Sequence, residues 1–176
     1  MRFVDFLRSA VLLCAAAATA LATVTVFASG TSYAGEIDVL VIAGWWLVAM
    51  LIGAWLGRAA QTNSPIAGLL ASAKSTSSLP EQRPGALLVN RLWPLLLFTV
   101  LAVAAGLFAP QIPGMGTGFA IIGALAWRRQ EAAVTAIEER DGVAFYVEPT
   151  SPLKPIKLVR APGLRRDMLS VNGTAS

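Results

Sequence analysis

Four stretches of this chain carry no acidic residue and almost no other charge: Val11 to Phe27, Val39 to Leu56, about Ala86 to Phe108, and Ile112 to Trp127. A membrane-crossing helix needs about 20 predominantly apolar residues to traverse a hydrocarbon core of roughly 30 Å. The pattern therefore predicts an all-α membrane protein with four transmembrane helices over 11–27, 39–56, 86–108 and 112–127. The fourth run is the shortest, so a re-entrant hairpin is the competing reading there.

The polar segments between these runs differ in kind. Residues 58–85 form a long Ser- and Ala-rich connection. Within it, Ser64-Pro65 reads as an N-cap followed by proline at the first helical position. The IAGLLASAK that follows reads as a short amphipathic helix lying on the membrane surface, and STSSLPEQRPG as a linker. The other two connections, around 28–38 and 109–111, are short and hold no Lys or Arg.

Past Trp127 the pattern changes again, which divides the chain into a transmembrane domain, 1–127, and a tail, 128–176. Ala133, Val134 and Ile137 recur at helical spacing, too narrow a stripe for a core of their own. Read as one helix, Gly114 to Gly142 is about 43 Å long at 1.5 Å per residue, so half of it extends beyond the membrane as a stalk. Glu138, Glu139 and Asp141 crowd the last turn, where the helix dipole disfavours negative charge; they read as a solvated face or a contact surface. Gly142 supplies the stop. VAFYVE (143–148) and IKLVR (156–160) read as short strands around a proline-stiffened loop, a β-hairpin-like tail with a disordered end. An isolated hairpin is marginal in water. It needs support from the membrane-proximal helix, the 58–85 loop, a second protomer or a separate protein.

Charge orients the molecule. With four spans, all 14 Lys and Arg residues of the chain fall on one side, and cytoplasmic segments are the ones that carry Lys and Arg. Both termini are therefore expected in the cytoplasm, in a plasma membrane whose Ala- and Gly-rich protein composition suggests a bacterium. Trp55, Trp93 and Trp127, followed or preceded closely by Arg58, Arg91, Arg128 and Arg129, read as one interfacial belt. Arg91 sits one to two turns inside its run and can snorkel to the headgroups. Arg2 and Arg8 ahead of the first run also resemble the start of a secretory signal with a cleavage site near Ser32-Tyr33-Ala34. The run is longer than such signals usually carry, which favours a retained helix.

Composition closes several functional routes. The 176 residues are 56% hydrophobic and 14% charged, with mean hydropathy +0.65, against about 25% charged in soluble proteins. With no histidine and a single cysteine, Cys14, the usual general base, the commonest metal ligand and any dithiol pair are missing. No cofactor or metal site is expected, and nucleic acid is not an expected partner, because the cations follow membrane orientation. Gly114, Gly116 and Gly118 lack the strand that a phosphate-binding loop requires. They, with Gly123 and the Gly53-to-Gly57 GxxxG pattern, read as helix-packing surface; Gly53, Gly57, Gly116 and Gly123 are the chosen positions. No Asp, Glu or His lies within a run, so proton-coupled transport has no relay.

The functional expectation is a non-catalytic integral membrane protein, an accessory or scaffolding subunit acting through its cytoplasmic tail. Phe145, Tyr146, Ile156 and Leu158 are the partner-docking candidates. A small oligomeric channel or permease, joined through the glycines, is the alternative. The expected partners are the lipid bilayer and either a homo-oligomer or a larger membrane complex.

Overall fold

The computed structural model describes residues 1–31, 36–58, 64–75, 84–109, 111–148 and 156–162. They form helices α1 (Phe3–Thr31), α2 (Glu36–Leu56), α3 (Ser64–Ala71), α4 (Pro84–Ala105), α5 (Gln111–Trp127) and α6 (Gln130–Asp141), with strands β1 (Lys74–Ser75), β2 (Val143–Val147) and β3 (Leu158–Pro162). Three helical segments, Phe3–Gly30, Ile37–Leu56 and Gly85–Ala105, are long and apolar enough to cross a membrane. Most of their side chains are exposed in the isolated chain, Leu51 at 71% and Val100 at 65% among them.

α5 is the element around which the others assemble, and its glycines set the approach. It packs most extensively on α1 and α2, and less on α4. Ile42 of α2 lies against Gly114, Trp45 against Gly118, and Leu125 against Gly53 and Gly57, so α2 and α5 run parallel. Leu21 meets Gly116 and Cys14 lies near Gly123, which makes α1 antiparallel to α5. α4 is antiparallel to it too, with Phe98 against Gly116 and Pro113 against Gly106. The N-termini of α1 and α4 and the C-termini of α2 and α5 therefore share one end, called here the basal end.

The Trp45 and Trp46 indole N–H groups bind α5 directly, donating to the carbonyls of Met115 at 3.1 Å and Gly114 at 2.8 Å. An indole N–H buried without a partner is costly in an apolar medium, and these two find backbone oxygens in the first turns of α5. A methyl group on Gly118 would collide with the Trp45 ring, so glycine there is what admits the indole.

The tail helix is separate from α5. The helix is interrupted at Arg128-Arg129, where Arg129 sits at φ −96°, ψ −6°. α6 restarts at Gln130 and packs on α1 and β2, burying Gln130, Ala133, Val134 and Glu138. It ends at Gly142, whose left-handed backbone (φ 63°) turns its N–H onto the Glu138 carbonyl. That geometry favours glycine because a Cβ there would strain the backbone.

The strands form a three-stranded sheet in the order β1-β3-β2, with β2 antiparallel and β1 parallel to β3. β3 lies two residues later than the predicted 156–160. β1, from the long connection, was absent from the sequence reading; two residues give no periodicity to read. The predicted surface helix is α3, and its Ile66 is buried in the basal core. The chain beyond Pro162, expected to be disordered, and the suggested cleavage site lie outside the described residues.

The glycine geometry discriminates among positions. A methyl on Gly57 would strike the Leu125 backbone carbonyl, whereas one on Gly123 would make an ordinary 3.6 Å contact with the Cys14 sulfur. Gly57→Ala is expected to destabilise the detergent-solubilised protein by about 1–3 kcal/mol through overpacking. Gly123→Ala should be neutral or slightly stabilising, since alanine is the better helix former. Thermal melts of both variants check the pair; equal effects would refute this seating of α2 on α5.

Candidate functional site

The chemistry-bearing residues gather at the basal end, where six elements build one small core. Phe3, Phe6 and Leu7 from α1 join Ile66 of α3, Leu87 of α4, Val134 of α6, Phe145 and Val147 of β2, and Leu158 of β3. Each segment alone is too short or too narrowly apolar to fold. Together they bury aromatic and branched side chains, worth roughly 1.5–3 kcal/mol for each one fully buried.

Glu138 ties this core together. Only 5% of it is exposed, and both carboxylate oxygens are engaged. The Arg2 guanidinium donates to Oε2 at 2.5 Å, and the Phe145 backbone N–H donates to Oε1 at 2.9 Å. A charge taken out of water is tolerated when paired and hydrogen-bonded, and here one carboxylate engages Arg2 and β2 at once. Two further contacts reinforce the junction: the Val147 N–H donates to the Met1 carbonyl at 3.2 Å, and Arg2 bridges Tyr146 as an isolated antiparallel pair.

Glu138 is thus neither a solvated acid nor an outward contact, the two readings its position in the last turn suggested. Its unfavourable place in the helix dipole is offset by Arg2, 136 residues away. The same bond holds the Arg2 guanidinium even above the ordinary arginine range, against the opposing effect of burial. Because the folded value is raised, the stability it lends is complete throughout the neutral range and is lost only at extreme alkalinity. Asp141 is handled differently: its carboxyl is pulled below the usual value first by the hydrogen bond from Arg140, with the charges of Arg140 and Arg160 adding to it. Both members of that pair are exposed.

The docking candidates divide. Phe145 and Leu158 are buried in the basal core beneath β2 and β3, so their side chains are covered by this chain's own residues. Tyr146 and Ile156 are half-buried, and Tyr146 pairs with Val159 on the opposite face of the sheet. The support the hairpin needs comes from α6, the 64–75 segment and, unforeseen, the first turns of α1.

Among the topology residues, Trp55, Trp93, Trp127, Arg58, Arg128 and Arg129 are exposed near the basal end and Arg91 is half-buried in α4. Gly53, Gly57 and Gly116 all pack within the chain. The seam expected to join identical copies is therefore occupied by α5. Among the described residues no group of three His, Cys, Asp or Glu is placed to hold a metal. On the exposed face of α6, Arg128, Glu131, Thr135 and Glu139 line a shallow groove of about 300 Å³.

No family model matches the chain, and neither a curated protein nor a solved structure matches it. The sequence left one clue to the Arg2–Glu138 pair, an acidic residue without a local reason to be where it is.

The pair's coupling is measurable. Arg2→Ala should cost about 1–3 kcal/mol, at the lower end because half of the Arg2 side chain is in water. In a Glu138→Gln background the same change should cost under about 1 kcal/mol, since a neutral amide still accepts from Phe145 and needs no counter-charge. Amide exchange at Phe145 and Val147 reads the effect; additive costs would refute the coupling.

Proposed function

We propose that this chain is a four-span membrane protein with α5 as its last crossing and both termini in the cytoplasm, acting as a non-catalytic accessory or scaffolding subunit through its basal module. The observation that carries the reading is that the N-terminus, the long connection and the tail converge in one folded unit at the basic end. A chain whose only task was to span the bilayer would have no need of such a unit. α5, 17 residues and about 26 Å long, is short for a crossing, but it runs parallel to α2 and is flanked by α1 and α4.

The hydroxyls along the helices support a structural rather than a conducting interior. Thr19, Thr23, Thr25, Thr99 and Thr117 each donate to the carbonyl four residues earlier in their own helix, at 2.8–3.0 Å. Hydroxyls bonded in this way satisfy their donor locally and need no water or second polar group. A channel built from identical copies is the weaker alternative, because the glycines that would have joined the copies pack inside one.

Two measurements test the proposal. In a Cys14→Ser background, Ser72→Cys should resist a membrane-impermeant maleimide in intact cells, while Phe108→Cys should react; the opposite pattern would invert the orientation. A photoreactive side chain at Tyr146, on the outward face of β2, should capture one discrete protein partner in cells. Capture of lipid alone would remove the scaffolding role.

A further inference from the structure

We infer that the exposed face of α2, from Leu47 to Arg58, together with the turn between α5 and α6, forms a seat for an anionic phospholipid, its phosphate held between Arg58 and Arg129. The inference rests on the membrane reading above and adds a ligand class to it.

The seat has the two-part chemistry of a lipid. Leu47, Leu51 and Trp55 follow one another at four-residue spacing on α2 and are exposed by 60%, 71% and 68%, a continuous apolar stripe leading to the basal end. Arg58 stands at its foot, exposed, in the turn that ends α2. Arg129 comes to the same place from α5: its Nη1 lies 3.5 Å from the Arg58 carbonyl oxygen. The two guanidinium-bearing residues are thus brought together by the close α2–α5 packing at Gly57 and Leu125. Among the described residues neither arginine is ion-paired, whereas Arg2 and Arg140 are. Trp127, exposed at the end of α5, adds a second interfacial indole beside the pair.

Charge complementarity selects the occupant. Two exposed arginines, the side chain of one against the backbone of the other at the edge of an apolar face, suit a phosphate that bears an uncompensated charge, because arginine binds such oxygens in a planar, two-pronged fashion. A zwitterionic headgroup carries its own cation and gains less. A soluble acidic partner would leave the Leu47–Trp55 stripe unused.

The test uses the full-length protein, purified in mild detergent and titrated with dioleoyl phosphatidylglycerol or dioleoyl phosphatidylcholine, which share acyl chains. Bound lipid is counted by native mass spectrometry. The wild type should retain the glycerol lipid at least about fivefold over the choline lipid. Arg58→Gln/Arg129→Gln should abolish that preference, and Arg140→Gln/Lys157→Gln, the same change of charge elsewhere, should leave it intact. Equal retention of both lipids by the wild type would overturn the seat, a result that does not depend on the variants folding. Loss of preference in the control pair would overturn it as well, by reducing it to net charge. Retention of neither lipid would sink the seat together with the membrane reading on which it rests.

Discussion

The close approach of α2 and α5 is the constraint on which the rest of the molecule depends. Lipid offers no hydrophobic drive between helices, so association rests on van der Waals contact and hydrogen bonds. Here small residues let the backbones meet: Gly53 and Gly57 accept Leu125, Gly118 admits Trp45, and the two indoles donate into the first turns of α5. α5 is thereby placed between α1 and α2 with its C-terminus at the basal end. Without that placement the break at Arg128-Arg129 would not deliver α6 to the first turns of α1.

The basal core follows from this arrangement. Phe3, Phe6 and Leu7 are the opening turns of a membrane helix and also core residues of a mixed module, so α1 serves two solvents along its length. The half facing the module is buried by the sheet and α6; the half beyond packs Ala17, Ala18 and Leu21 against its helical neighbours and leaves its other side exposed. Glu138 marks the join between them, a buried carboxylate engaged by a charged side chain from one segment and a backbone N–H from another. Such pairs are weak contributors to net stability but costly to break one side at a time, which makes this one a device for holding the N-terminus and tail in register. α1 supplies three of the nine buried side chains of that core.

A functional reading based on the tail alone was incomplete for the same reason. Phe145 and Leu158 look like a sticky hairpin in the sequence because aromatic and branched residues stand where a soluble partner would bind them. In the fold they face inward, and the outward face of the sheet carries Tyr146 and Val159 instead. The exposed chemistry of the sheet lies on the other side of β2 from its buried core.

The sequence by itself placed four apolar runs, three of them in helices long and apolar enough to cross a membrane, with a small β element after them, although α1 begins at Phe3, eight residues ahead of its run. These are properties of local composition and period: unbroken apolar runs, proline at helix starts, a glycine at position 142 with a left-handed backbone. Only the tertiary structure decided which helices touch, that Gly57 is sterically required while Gly123 has room to spare, that the helix is interrupted at Arg128-Arg129 and continues against α1, and that Arg2 and Glu138 meet. Those outcomes depend on contacts between residues tens to more than a hundred positions apart. In a uniformly apolar helix no polar face announces which side will be buried, and a salt bridge across 136 residues leaves no periodic trace. The acid at position 138 was visible from the start; its reason for being there lay at the other end of the chain.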